Sequence, residues 1–156
     1  MGIRLVALAA TLSTAFALPL WAECSEDSVW VRGDFGQARF SVDLAQTAAE
    51  RSRGLMFVED MPRSQGMFFI FPRALPRSFW MHNTLIPLDI IFADARGVVV
   101  SIAADAIPMD RTSLLSGEPA KFVLEINGGL AAQLGITPGA EFRHPAIGDQ
   151  AAWPCD

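Results

Sequence analysis

Met67-Phe68-Phe69-Ile70-Phe71 is apolar at every position and stops at Pro72, which leaves it too short for a free-standing helix. A run of that kind is a strand covered on both faces, so it belongs near the centre of a sheet. Its neighbours extend the pattern. Phe40, Val42 and Leu44 alternate with Arg39, Ser41 and Asp43 as in a half-buried strand, and Phe122, Leu124 and Ile126 do the same against Lys121, Val123 and Glu125. Leu88 to Ala93 and Val98 to Ile102 flank Asp94-Ala95-Arg96-Gly97, a hairpin turn by its Asp and Gly. Ser78 to Met81 reads as a separate strand after a turn at Pro72, Arg73 and Pro76, and the aperiodic stretch from Ala104 to Pro119 as a long loop overhanging the site.

Helical signals are brief. Thr47-Ala48-Ala49-Glu50 is a capping box stopped by Gly54, and Asn127-Gly128-Gly129 opens a second short helix that ends at Gly135. Neither is long enough to serve as a parallel crossover. The expected class is therefore mostly β, an antiparallel sandwich or barrel with two short helices, occupying residues 28–145 ahead of a tail at 146–156.

Residues 1–22 carry one basic residue (Arg4), an apolar run from Leu5, and small residues near a break, which is the grammar of a signal peptide. Cleavage fits after Ala17 or after Ala22, and a periplasmic or secreted location is expected. A membrane association is expected only if this segment stays uncleaved. A net charge of −5 argues against nucleic acid as a partner. Cys24 and Cys155 stand near the two ends of the chain, where they could pair in an oxidising compartment or remain free or intermolecular.

The stretch Arg77 to Phe92 mixes strand-forming bulk with polar groups that need partners if buried. Trp80 with Arg77, Asn83, Thr84 and Asp89 reads as an apolar pocket floor carrying a few polar fixtures, joined by Arg53 at the exit of the capped helix and by Glu125 and Asn127 on the later strand. A small-molecule, glycan or peptide-like ligand suits that mixture. The same residues also suit an internal structural network with arginine–carboxylate pairs, which would make the domain an accessory or interaction protein. Asp89 and Glu125 as paired carboxylates of a hydrolase are a further alternative, as is a copper(I) site built from Met56, Met61, Met67, Met81, Met109 and His82. No phosphate loop, nucleophile elbow or paired-histidine motif is present, so neither a cofactor nor a resident metal is expected, and whether any reaction is catalysed stays open.

Thr47-x-x-Glu50-Arg51-x-x-Gly54-Leu55-Met56, Gly66-Met67-x-Phe69-x-Phe71, Ser78-Phe79-Trp80-Met81-x-Asn83-Thr84-x-Ile86-Pro87-Leu88-Asp89-Ile90-x-Phe92 and Val123-Leu124-Glu125-x-Asn127-x-Gly129 together resemble the family called domain of unknown function 192. The resemblance runs from about Ala38 to Phe142. It implies a small mostly-β, jelly-roll-like domain, frequently behind a bacterial signal peptide, and implies no activity. His82 departs from the pattern, because members often carry lysine between the residues matching Met81 and Asn83.

Overall fold

The structure is a computed structural model that describes residues 24–155, so the expected leader at 1–22 lies outside the described residues. Seven strands form one sheet: β1 (Ser28–Gly33), β2 (Gly36–Ala45), β3 (Gln65–Phe79), β4 (Leu88–Ala93), β5 (Val99–Ala106), β6 (Leu114–Asn127) and β7 (Glu141–Arg143), in the order β5-β4-β6-β3-β2-β1-β7. The sheet curls until its two edges meet. Val98 bridges Glu141, and Phe142 N–H donates to Gly97 O at 2.8 Å while Val99 N–H donates to Ala140 O at 2.8 Å. The expected mostly-β barrel with two short helices is what the chain builds.

The capping box forms as its residues dictate. Helix α1 (Ala48–Arg53) starts at Thr47, whose hydroxyl accepts from Glu50 N–H at 3.2 Å, and Glu50 Oε2 accepts from Thr47 N–H at 2.8 Å. Helix α2 (Leu130–Leu134) ends at Gly135 in the left-handed region, φ 82°. The β4–β5 hairpin turns at Asp94, whose Oδ1 accepts from both Arg96 and Val98 N–H.

Three local expectations are corrected. The segment Pro72 to Pro76 does not turn: β3 runs through it as one long strand, with Pro72 inside a break of its register against β6 and Pro76 opposite Pro119 at the edge of a second break, so few ladder donors are lost. The long loop expected from Ala104 to Pro119 is largely strand, since β5 continues to Ala106 and β6 begins at Leu114, leaving 107–113 between them. Finally, β2 and β3 pair in parallel, Ser41 with Gln65 through Ala45 with Phe69. A helix as short as α1 completes this crossover because the irregular residues that follow it supply the remaining length.

Buried side chains divide between the two faces of the central strands, and β4 is buried at every position. One face, with Phe68, Ile91, Leu124, Ile126 and Phe142, fills the curl and packs on Leu130 and Ala131 of α2. The other face, with Phe69, Met81, Ile90, Phe92 and Val123, is covered by the residues after α1 and by the segment from Met81 onward. On the first side lies His144, a buried imidazole 4.8 Å from the Phe68 ring. Its Nδ1 accepts from Ala146 N–H, its Nε2 meets Glu26 O at 3.0 Å, and burial pushes its pKa down, all of which mark a neutral structural histidine. Cys24 and Cys155 form a disulfide that fastens the tail to the start of the domain.

Candidate functional site

Register decides which carboxylate faces where. On the antiparallel pair β4–β6, Asp89 stands opposite Ile126 and Glu125 stands opposite Ile90, so the two acids point to opposite faces of the sheet. The paired-carboxylate arrangement of a hydrolase is therefore not formed. Asp89 is fully buried on the α2 side, where Oδ1 accepts from Asp105 N–H at 2.7 Å and Gly129 N–H at 2.9 Å, and Oδ2 accepts from Ala131 N–H at 2.6 Å. It holds the start of α2 against β4 and β5.

Glu125 faces the other way. It is 5% exposed, its Oε2 has no hydrogen-bond partner, and burial pushes its pKa up to about 8. At neutral pH it is a carboxylic acid that can donate a hydrogen bond. Its surroundings explain the isolation, because its cross-strand neighbours are Met67 and Ile90 and the residue packed above it is Gly54. A Cβ on Gly54 would lie 3.9 Å from Glu125 Oε2 and 3.4 Å from the Phe69 ring, and Gly54 also takes φ 49° at the end of α1.

This acid lies against a small pocket of about 40 Å³ whose wall includes Arg53, Gly54, Trp80, His82 and Thr84. That volume is several times the roughly 10–15 Å³ needed for one water. His82 adds a second buried atom without a partner, Nδ1, and its ring lies 4.9 Å from that of Trp80, which is 51% exposed. Among the described residues the Arg53 guanidinium has no hydrogen-bond or ion-pair partner. Beside the pocket lies a wider groove of about 400 Å³ that shares Arg51, Ser52, Phe79 and Trp80 with it and adds Phe71.

The loops at the mouth are tied together by backbone bonds. Phe57 N–H donates to Asn83 O at 2.8 Å, Met109 N–H to Thr84 O at 3.1 Å, and Met81 N–H to Asp110 O at 2.8 Å. Among the described residues the non-glycine residues at positive φ are Phe57, Asn83, Asp105 and Met109, three of them in these bonded loops. Each such conformation costs on the order of 1 kcal/mol and persists only where surrounding structure enforces it. The strain in this domain is thus concentrated beside the pocket.

Of the residues read as a site from the sequence, the pocket gathers Arg53, Trp80, Thr84 and Glu125. It leaves out the rest. Asp89 is turned to α2, Asn83 contributes a turn, and Asn127 Nδ2 donates to Met61 O at 2.9 Å and Pro62 O at 3.2 Å. Arg77 lies over the Phe71 ring at 3.8 Å and donates to Ala120 O at 3.1 Å, and neither it nor Arg53 pairs with Asp89 or Glu125. Of the groups in the copper alternative, Met56 and His82 line the pocket, while Met61 and Met81 lie in the core and Met109 is exposed. Sequence reasoning missed Arg51, Gly54 and Phe79 as wall residues and placed His82 only in the copper alternative, not in the ligand pocket. Arg51 and Gly54 had a usable signal in their fixed spacing after the capping box.

The model of DUF192, described as an uncharacterized ACR, matches residues 30–144. No curated protein matches the chain. A crystal structure of a protein of unknown function from Novosphingobium aromaticivorans DSM 12444 is similar at 47% identity and TM-score 0.73, covering 74% of this chain and 82% of that one. Another, from Sinorhizobium meliloti 1021 and described as a candidate transcription regulator, is similar at 32% identity and TM-score 0.73, covering 78% of this chain and 95% of that one. With its motifs, its curled sheet and a family match spanning nearly the whole described domain, this chain belongs to the DUF192 family.

Proposed function

We propose that this protein is an exported small-ligand-binding β domain whose site is the pocket at Glu125, with a glycan or peptide-like molecule as ligand. One observation carries the reading: a carboxylic acid nineteen-twentieths buried, with an oxygen lacking any partner, is aimed into an opening framed by a half-exposed tryptophan. Burying such a group without a hydrogen bond costs about 1–3 kcal/mol, so a site that served packing alone would do better with an apolar residue. The loss is recovered if a ligand supplies the missing partner. The strained loops at the mouth have the same logic.

The test compares stability with binding. Glu125→Leu should keep or raise the thermal midpoint while abolishing hits on a glycan and peptide array, and Trp80→Ala should weaken the same hits at an unchanged midpoint. Marked destabilisation by Glu125→Leu, together with a blank array for the wild type, would overturn the proposal in favour of a structural role.

A further inference from the structure

We infer that the pocket selects ligands bearing a carboxylate head on an apolar or aromatic body, with Glu125 donating its proton in a hydrogen bond to that head and Arg53 supplying the countercharge. The inference rests on the binding-site reading above and narrows its ligand class.

Charge comes first. Arg51 and Arg53 line the pocket from the last turn of α1 and His82 lines it from the segment after β3, while Glu125 is the sole carboxylate among the lining residues. The strands on either side of Glu125 add no charge on that face, since its partners are Met67 and Ile90 and Asp89 points away. In a chain of net charge −5 this is a local positive site around a neutral acid. A cationic ligand would meet these guanidiniums, and an uncharged one would leave Arg53 unpaired. Arg51 is already engaged by Gln46 O and Ile70 O, which leaves Arg53 as the available cation.

Shape gives the second half. The deep part holds a head group only, and the ligand's remainder must run into the wider groove floored by Phe71, Phe79 and Trp80. An aromatic or aliphatic body stacks there. Between a neutral carboxyl and a carboxylate the hydrogen bond is charge-assisted, short and strong, and it exists only while Glu125 keeps its proton. Binding is then proton-linked: burial pushes the Glu125 pKa up to about 8, so affinity is full between the ligand carboxyl's own pKa and that pH and falls about tenfold per pH unit above it.

Isothermal titration of the protein with N-acetylphenylalanine, its amide, phenethylamine and glucuronate tests this at pH 7 and pH 9.5. N-acetylphenylalanine should bind at pH 7 and weaken tenfold or more at pH 9.5, whereas glucuronate, whose body is polar, should bind at least tenfold more weakly; glucuronate binding as tightly or more tightly would overturn the apolar-body half of the inference. Glu125→Gln keeps an N–H donor and should bind the acid without the alkaline decline; His82→Asn should keep the decline, and Arg53→Ala should weaken binding tenfold. Equal binding of amide and acid would overturn the carboxylate preference while leaving the site itself standing. Phenethylamine binding that tightens at high pH would overturn the inference in favour of a cation site. If no probe binds protein whose thermal melt is intact, the inference fails outright.

Discussion

Asp89 on β4 and Ala131 in α2 are joined by a 2.6 Å hydrogen bond from the Ala131 N–H to Asp89 Oδ2, entirely out of contact with solvent. Because Oδ1 also serves Gly129 and Asp105, one carboxylate satisfies three backbone donors from two elements. Asp89→Asn replaces one acceptor oxygen with an amino group that cannot accept, so one of those donors is stranded. The expected cost is about 2–3 kcal/mol, read as a lowered urea midpoint with the slope unchanged. An Asn variant as stable as the wild type would show that these bonds contribute little.

Glu125 makes the opposite contribution. Its folded pKa is raised from 4.5 to about 8, so the native state holds a proton that the unfolded chain releases in that interval. Stability from this group is therefore fully present below about pH 4.5 and is lost as pH rises to about 8, beyond which it no longer changes. At about 1.4 kcal/mol per unit the loss reaches a few kcal/mol. Denaturation measured from pH 5 to pH 9 should show the decline in the wild type and a clearly smaller one in Glu125→Gln. Parallel profiles for the two would contradict it.

These two acids also mark where the sequence stops being informative. Each sits between apolar residues, Leu88 and Ile90 for one, Leu124 and Ile126 for the other, and each strand is buried on both faces. Alternation says that an acid and its neighbours face opposite ways, and it is silent on which face holds a helix and which a pocket. Only the pairing of Ile90 with Glu125 separates them, and that register depends on long-range contacts. Locally encoded features were legible: the Thr47–Glu50 capping box, the Asp94–Gly97 turn, and the doubly buried Met67–Phe71 segment. The run through Pro72 and Pro76 was misread because proline forbids only a ladder donor, and an irregular pairing removes the need for one.

The tail is attached to the barrel by more than its disulfide. Ala152 N–H donates to Arg96 O at 2.9 Å, and the Trp153 ring lies beneath Arg32 at 4.6 Å and Arg143 at 5.5 Å. Opening the Cys24–Cys155 bond releases a loop of sequence separation 131, for which chain entropy sets an upper figure of about 5 kcal/mol. Cys155→Ser should lower the urea midpoint and leave the far-ultraviolet circular dichroism of the sheet unchanged. Loss of the sheet signal in native buffer would mean the bridge is needed for the fold itself.

Gly66 holds β3 and β6 together where the pocket acid is mounted. A Cβ at this position would come within 2.4 Å of the Glu125 carbonyl oxygen and 3.2 Å of Ile126 Cγ2, and neither a backbone oxygen nor a fully buried isoleucine can move aside without shifting β6. Gly66→Ala is therefore expected to cost about 1–3 kcal/mol through overpacking. Gly117→Ala provides the comparison: nothing lies within 4 Å of its Cβ, and its φ of 71° alone costs about 1 kcal/mol. The two differ in reach as well as in size. Moving the β6 backbone at Glu125 relocates the carboxyl relative to Arg53, so Gly66→Ala should weaken carboxylate binding at temperatures where it remains folded, whereas Gly117→Ala should leave binding untouched. Equal urea midpoints for the two variants, or full binding by Gly66→Ala, would show that the strand spacing at Gly66 does not set the position of Glu125.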